Sequence, residues 1–220
     1  MIEINPTNLT HEFFLGEAAQ QSQYLMSDAE ESLASELSLS GIRAWYKLQG
    51  TVTSQLKIDF DYEGKTQSLP LAALQNIRRY NRDGSIRQRA FNAEIQGLES
   101  VREPLVACMN GVKGFFNVLN QRRGRQDALH PSLDTARIDR DALDAKIGTM
   151  QRSFPYFRKY LKGKANRFGK NALPWWDLFA PVGNYNRVFS WSAAQDFIIH
   201  NFGLFSADLA DFIQRAFDQN

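Results

Sequence analysis

Residues 139–181 read DRDALDAKIGTMQRSFPYFRKYLKGKANRFGKNALPWWDLFAP, and the reading of this stretch decides the fold. Leu143, Ile147, Met150, Phe154, Phe157, Leu161 and Phe168 recur at steps of three, four or seven. On a helix those steps set one apolar stripe along one face. Arg140, Lys146, Arg152, Arg158, Lys159, Lys162 and Lys164 lie mostly around it. Pro155 sits inside the run and predicts a kink or two abutting helices, because proline removes a backbone N–H and crowds the preceding turn. Gly169 is the expected stop, a residue free to take the left-handed conformation just past a helix. The stretch ends in a dense aromatic segment, Leu173 to Pro181, bracketed by Pro174 and Pro181.

Upstream, Ser27-Asp28-Ala29-Glu30 has the spacing of a capping box and opens a helix with Leu33 and Leu37 on its apolar face. Ser40 is a candidate cap for a second helix that carries Trp45, Leu48 and Val52 inward. At Gln55 the period changes. Leu56, Ile58, Phe60 and Tyr62 alternate with Lys57, Asp59 and Asp61, the pattern of a half-buried strand. Glu63-Gly64-Lys65 turns it and Thr66 to Leu69 returns. The expected hairpin spans about residues 55–69. Ser68 is then read as a helix cap, with Pro70 near the first turn and Leu71, Leu74 and Ile77 inside. Ser85 to about Asn120 keeps a helical period, with Pro104, Gly111 and Gly114 as points of bending or splitting. Asn120 to His130 is polar and basic, the composition of a loop. Downstream, Val182 to Asn186 reads as a loop, Ser192 as the start of a helix with Phe197 and Ile198, Phe202 to Phe205 as a turn, and Ser206 as the cap of a last helix with Leu209, Phe212, Ile213, Ala216 and Phe217 inside. The fold class is therefore mainly α, a multi-helix array with one small β-hairpin.

Composition narrows the function classes. The 220 residues are 43% hydrophobic and 23% charged, ordinary for a soluble globular protein. A net charge of +2 is too small to point to nucleic acid or an anionic membrane. The single cysteine, Cys108, excludes an intramolecular disulfide and fits a reducing cytoplasm. No apolar run approaches the roughly 18 residues of a membrane span. Met1 to Pro6 carries neither the basic nor the apolar region of a secretory signal. No internal repeat or low-complexity tract is present.

Candidate chemical residues are few, and each has a structural alternative. A zinc site of the H-E-x-x-H type needs two histidines one helical turn apart. The histidines are His11, His130 and His200, and none lies four residues from another. His11-Glu12 begins like the motif, but Leu15 stands where the second histidine belongs. Asp177 is read either as a turn residue accepting backbone N–H bonds or as part of a cleft wall. Trp175 and Trp176 serve as core packing or as a surface on which a peptide stacks. Cys108 is read as a buried inert thiol rather than a nucleophile. Arg78-Arg79-Arg82, Arg87-Arg89, Arg122-Arg123-Arg125 and Arg158 to Lys170 form basic clusters, read as solvated helix faces or as an anion-binding surface.

Two motifs carry a family resemblance. Tyr160-Leu161-Lys162-Gly163-Lys164-Ala165 followed by Trp175-Trp176-Asp177-Leu178-Phe179-Ala180-Pro181 resembles the oligoendopeptidase F type of the thimet-oligopeptidase-like zinc metallopeptidases. Ser40-Gly41 with Ala44-Trp45 is similar to a helix junction of that family. So are Asn120, Arg125 and Ala128-Leu129-His130, together with Asn117, read as a structural joint that bonds a neighbouring helix. The final helix resembles the run that precedes the zinc helix. The resemblance covers about Asp28 to Asn220.

What the resemblance implies is a cytoplasmic enzyme that hydrolyses short peptides in a channel, with zinc as cofactor. It implies residues 1–130 as the helical amino-terminal region with the hairpin, and residues 131–220 as the start of the peptidase region. H-E-x-x-H does not occur in the chain. The expectation is a portion of such an enzyme, a fragment, a split or decayed gene, or half of a two-chain enzyme, that supplies scaffold and channel wall and is inactive alone. A second chain carrying the zinc site is the expected partner, besides the peptide substrate; a membrane and nucleic acid are not expected. No residue is singled out as catalytic, metal-ligating or substrate-binding. The alternative is a non-catalytic helical binding or scaffold protein, with an anionic partner.

Overall fold

Strand alternation is the most local signal in the chain, and it holds. Lys57–Tyr62 (β1) buries Ile58 and Phe60 and exposes Lys57, Asp59 and Asp61. It pairs antiparallel with Lys65–Pro70 (β2), Ile58 opposite Leu69 and Phe60 opposite Gln67. Glu63 and Gly64, at φ 53° and 77°, make the two-residue turn whose twist matches that of the strands. Two strands are not stable alone. These lean on Leu71–Tyr80 (α4) and Gly84–Ser100 (α5), which enclose Leu56, Ile58, Phe60, Leu74 and Ala90 in the principal core.

The computed structural model describes residues 11–183 and 188–219. Its contacts divide the chain into two compact units, the first running to Pro181 and the second starting at Val182. The division near residue 130, drawn from the resemblance, concerns correspondence in sequence and is a separate matter. As expected, the chain is mainly α, with one hairpin among the described residues.

Helices before the hairpin are Glu12–Ser22 (α1), Asp28–Ser40 (α2) and Ile42–Gln55 (α3). The capping box at α2 is present: Glu30 accepts from the Ser27 N–H at 3.1 Å and from its hydroxyl at 2.8 Å. Gly41, not Ser40, is the residue at the α2–α3 junction, and Leu48 faces solvent rather than inward. Ser68 pairs with Asp59 inside β2, so Pro70 precedes α4 in its place.

The long helical run breaks once. Gly84–Ser100 ends at Val101, and Arg102–Arg122 (α6) starts anew with Pro104 in its first turn, where the missing N–H costs nothing. The helix passes through Gly111 and Gly114 without interruption. Gly111 lets α6 approach α3: a Cβ there would lie 2.4 Å from Trp45 Cδ1 and Nε1. Gly111→Ala must part the two helices or reorient the indole. We expect a loss of about 1–3 kcal/mol, read as a shift of the urea midpoint at unchanged slope.

Next come His130–Ala136 (α7) and Arg140–Arg167 (α8). Asp139 caps α8 by accepting from the Ala142 N–H at 2.7 Å. Pro155 neither splits nor ends the helix, which runs unbroken for 28 residues. Its stop is as expected. Gly169 is at φ 66°, its N–H reaches Asn166 O at 3.0 Å, and the Lys170 N–H reaches Ala165 O at 3.0 Å. This is a Schellman closure. The apolar stripe of α8 forms but is not covered: Ile147, Met150, Phe154 and Phe157 are all exposed, and only Lys164 and Ala165 are buried.

The second unit is a helical pair, Trp191–Phe205 (α9) and Ala207–Asp218 (α10). The helix α9 starts one residue before Ser192, and Ser190 caps it, accepting from the Ala193 N–H at 3.2 Å. Phe202 to Phe205 is helix, not a turn. Ser206 opens α10 as expected, but Leu209 and Phe212 are exposed rather than inside. Trp191 meets Phe217 edge-on with centroids 5.9 Å apart. The loop reading for Asn184 to Asn186, and the signal reading for Met1 to Pro6, lie outside the described residues.

Candidate functional site

The aromatic segment is held by a buried ionic clasp. Past the Gly169 closure the chain turns back along the end of α8 and enters a 3-10 turn, Trp175–Asp177. Asp177 is 0% exposed. Its Oδ1 accepts from Arg87 Nε at 3.0 Å and from Arg87 Nη2 at 2.6 Å. Its Oδ2 accepts from Lys170 Nζ. Arg87, from α5, is itself buried, and its Nη1 donates to Asn81 O at 2.7 Å and Arg82 O at 2.8 Å. Lys164 of α8 donates to Leu178 O at 2.8 Å. Asp177 thus takes neither form expected of it. Its side chain accepts from cationic side chains instead of backbone N–H groups, while backbone bonds, Asp177 N to Pro174 O and Ala180 N to Asp177 O, close the turn.

Charge sets the titration of the clasp. Burial pushes the Asp177 carboxyl up, but the Lys170 and Arg87 hydrogen bonds outweigh it and hold the group below the usual carboxylate range. Burial, then repulsion from Arg87, pushes the Lys164 ammonium down. Glu31, hydrogen-bonded by Arg123, is likewise held low. A carboxyl depressed on folding contributes stability above its unfolded pKa of about 3.9–4.3, and that stability is lost as pH falls through the folded value. Urea unfolding from pH 7 down is therefore expected to be nearly flat to about pH 5 and to fall steeply below about pH 4.

Several other arginines are likewise engaged by partners within the fold. Arg78 Nε lies 2.6 Å from Glu94 Oε2, both buried, and Gln75 donates to Glu94 Oε1 at 2.8 Å. Arg79 stacks over Phe179, and Arg89 lies over Phe60 and donates to Asp61 O at 3.1 Å. Arg123 makes a two-bond pair with Glu31. Arg125 pairs with Asp134 of α7, donates to Gln21 of α1 at 2.6 Å and stacks 3.8 Å from the Tyr24 ring centroid. Arg78, Arg123 and Arg125 tie helices together, whereas Arg79 and Arg89 stay exposed. Asn120 is buried, its carbonyl accepts from the Arg125 N–H, and Asn117 is exposed. The joint read at Asn120, Arg125 and His130 is one, with Arg125 as its hub.

The described residues do not fit a zinc site. No group of three or more histidine, cysteine, aspartate or glutamate side chains is placed to hold a metal among them. His130 Nδ1 accepts from the Gln126 N–H at 3.2 Å, and its Nε2 lies 3.8 Å from Asp134 Oδ2. His11 flanks α1 and His200 lies on α9, both exposed. Cys108 is buried on α6 as a free thiol. No described helix is long and apolar enough to cross a membrane.

Two apolar grooves remain open. One, of about 450 Å³, lies among α2, α3 and α6, with Leu33, Leu37, Trp45 and Phe115 in its walls and the Glu30–Arg122 pair at its edge. The other, of about 520 Å³, lies between α8 and the returning segment. Leu161, Leu173, Pro174 and Leu178 line it, Trp175 stands 60% exposed on one side, and Arg158 and Lys162 stand on the other. Trp176 turns away and packs on Phe91, centroids 5.5 Å apart. Trp176 takes the packing role, and Trp175 remains exposed.

Among solved structures, a protein assigned as a peptidase from Chlamydophila abortus superposes with a TM-score of 0.75 at 16% identity, over 94% of this chain and 35% of that one. Oligoendopeptidase-F from Enterococcus faecium superposes with a TM-score of 0.69 at 16% identity, over 82% and 36%. The chain has an oligoendopeptidase-F-like fold. A third structure, assigned as an oligoendopeptidase F from Bacillus anthracis, superposes with a TM-score of 0.70 at 17% identity, over 97% and 39%. At these identities the likeness is one of fold. The chain spans little more than a third of the length of the three structures. No family model matches the sequence, and no curated protein does.

Proposed function

We propose that this chain is the scaffold and one channel wall of a zinc-dependent oligopeptidase acting on short peptides in the cytoplasm. In this reading it is inactive alone, and polypeptide outside these residues carries the H-E-x-x-H helix. The observation that carries it is the uncovered face of an oligoendopeptidase-F-like fold. Ile147, Met150, Phe154, Phe157 and Tyr160 run along α8 in the open, and α9 and α10 expose Trp191, Phe202, Leu204, Phe205 and Phe212. The run of exposed apolar side chains along α8 marks an interaction surface, and the exposed side chains of the helical pair mark another. The zinc-bearing portion would cover them and be positioned by them, bringing zinc to polarise the scissile carbonyl.

The test begins with the DNA on both sides of the reading frame, translated in all frames. An H-E-x-x-H helix is expected downstream. Expressed with it, joined or as a second chain, the protein should hydrolyse a fluorogenic short peptide in a zinc-dependent, chelator-sensitive way, while 1–220 alone should not. Absence of such a helix, or hydrolysis by 1–220 alone, overturns the reading.

One observation favours the binding-protein alternative. Arg158, Lys159 and Lys162 of α8 carry no ion pair among the described residues. An anionic partner there would bind with an affinity that falls steeply with salt.

A further inference from the structure

The groove beside α8 differs from the groove among α2, α3 and α6 in its charges. Glu30 and Arg122 pair with each other at 3.5 Å, so that edge is neutral. Arg158 and Lys162 stand one helical turn apart on the same side of the α8 groove, and neither has an anionic partner among the described residues. Two like charges at that spacing repel each other. The clasp that holds the same segment sets Arg87, Lys164 and Lys170 against the single carboxylate of Asp177, an excess of two positive charges. The field over the groove is therefore positive, while its floor is apolar.

The walls are also pre-set. Lys164 binds Leu178 O, and Asp177 is locked between Arg87 and Lys170, so the segment from Leu173 to Leu178 cannot drift from α8 without breaking buried ionic bonds. Trp175 is left facing solvent by the same turn that buries Asp177. An exposed indole beside an apolar floor on a rigid support is a contact surface rather than a packing accident. A volume of about 520 Å³ lies in the range of small-ligand sites and accommodates a few residues of peptide.

We propose that this groove captures the carboxy-terminal residue of a short peptide, with its α-carboxylate between Arg158 and Lys162 and its apolar side chain on Leu161, Leu173 and Pro174 against Trp175. A terminal residue suits this arrangement because one Cα carries both the carboxylate and the apolar group. That the ligand is a peptide rests on the peptidase-like reading above; the demand for a carboxylate beside an apolar group rests on the groove alone. Guanidinium and ammonium donors to a carboxylate make charge-assisted hydrogen bonds, stronger than neutral ones and lost with the charge.

The experiment is calorimetric titration of the full chain, without zinc, with acetyl-Ala-Ala-Leu as free acid and as amide. The free acid is expected to bind at least about tenfold more tightly than the amide. The R158A/K162A variant should bind acid and amide alike, and W175A should bind both weakly. All three positions are exposed, so melting curves of the variants should match the parent. Equal affinity for acid and amide, an acid preference that survives R158A/K162A, or no heat at millimolar peptide overturns the site. Equal binding of acetyl-Ala-Glu-Leu amide overturns the terminal carboxylate in favour of an acidic side chain. Equal binding of hexanoate overturns the peptide as ligand. None of these results bears on zinc-dependent hydrolysis by the joined protein, so the two readings fail separately.

Discussion

Replacing Asp177 with alanine is expected to destabilise the first unit by about 3–5 kcal/mol, a large share of the roughly 5–15 kcal/mol of a typical domain. The reason is asymmetry. Burying an ion pair offsets desolvation against attraction and gains little. Removing one partner leaves the other buried and uncompensated. Asp177 is fully enclosed, and its loss would leave the buried guanidinium of Arg87 with only the carbonyls of Asn81 and Arg82, and Lys170 with no anion. D177N keeps an acceptor without the charge and should fall between. The pair R87M/D177L should recover most of the loss, since it removes both charges and keeps volume in the site. Urea unfolding of the four proteins at pH 7 measures all of this. The exposed Arg102–Glu99 pair, both members more than half exposed, is the internal standard: E99A should change stability by no more than about 1 kcal/mol. If D177A matches E99A, the clasp is not what holds the aromatic segment.

The clasp also shows why some of this molecule was readable and some was not. Local signals survived. The hairpin follows from a period of two over six residues, the capping box from Ser27 and Glu30 three apart, and the end of α8 from Gly169. Each is decided by atoms within one or two turns. Arg87 and Asp177 lie 90 residues apart, and no property of either residue names the other. Part of the basic clusters departs from the expectation for the same reason. Arg78, Arg87 and Arg125 look like surface charge until the acid each one meets, from another element, is known. The groove residues Arg158, Lys162 and Trp175 were visible singly, but not as one site, because the Gly169 closure that folds the segment back on α8 is a three-dimensional fact.

Smaller errors have the same origin. Ser68 has capping chemistry, but strand pairing claims it. Gly203 suggested a turn. It is instead the point at which α9 admits α10, with Ala210 Cβ 3.6 Å from where a side chain would begin. The apolar stripe of α8 follows from periodicity, but its exposure does not. Periodicity fixes which residues share a side, while burial depends on what lies against it.

That distinction gives the second large effect. Leu74→Ala is expected to cost about 3–5 kcal/mol, whereas Ile147→Ala should cost less than about 1 kcal/mol. Both residues sit on regular apolar stripes of their helices, and sequence alone gives no reason to rank them. Leu74 is 0% exposed at the centre of the hairpin core, so its removal forfeits the transfer energy and leaves a cavity among Ile58, Phe60 and Ala90. Ile147 is 43% exposed, and its removal opens no cavity. Urea midpoints should be taken at low and high protein concentration. If Ile147→Ala is costly at high concentration only, a second copy covers the α8 face when nothing else does, as an apolar surface of this extent makes plausible. If it is costly at both, α8 is packed within the chain, and the open face from which the peptidase reading argues does not exist. A small effect at both keeps that face free for the polypeptide proposed to cover it.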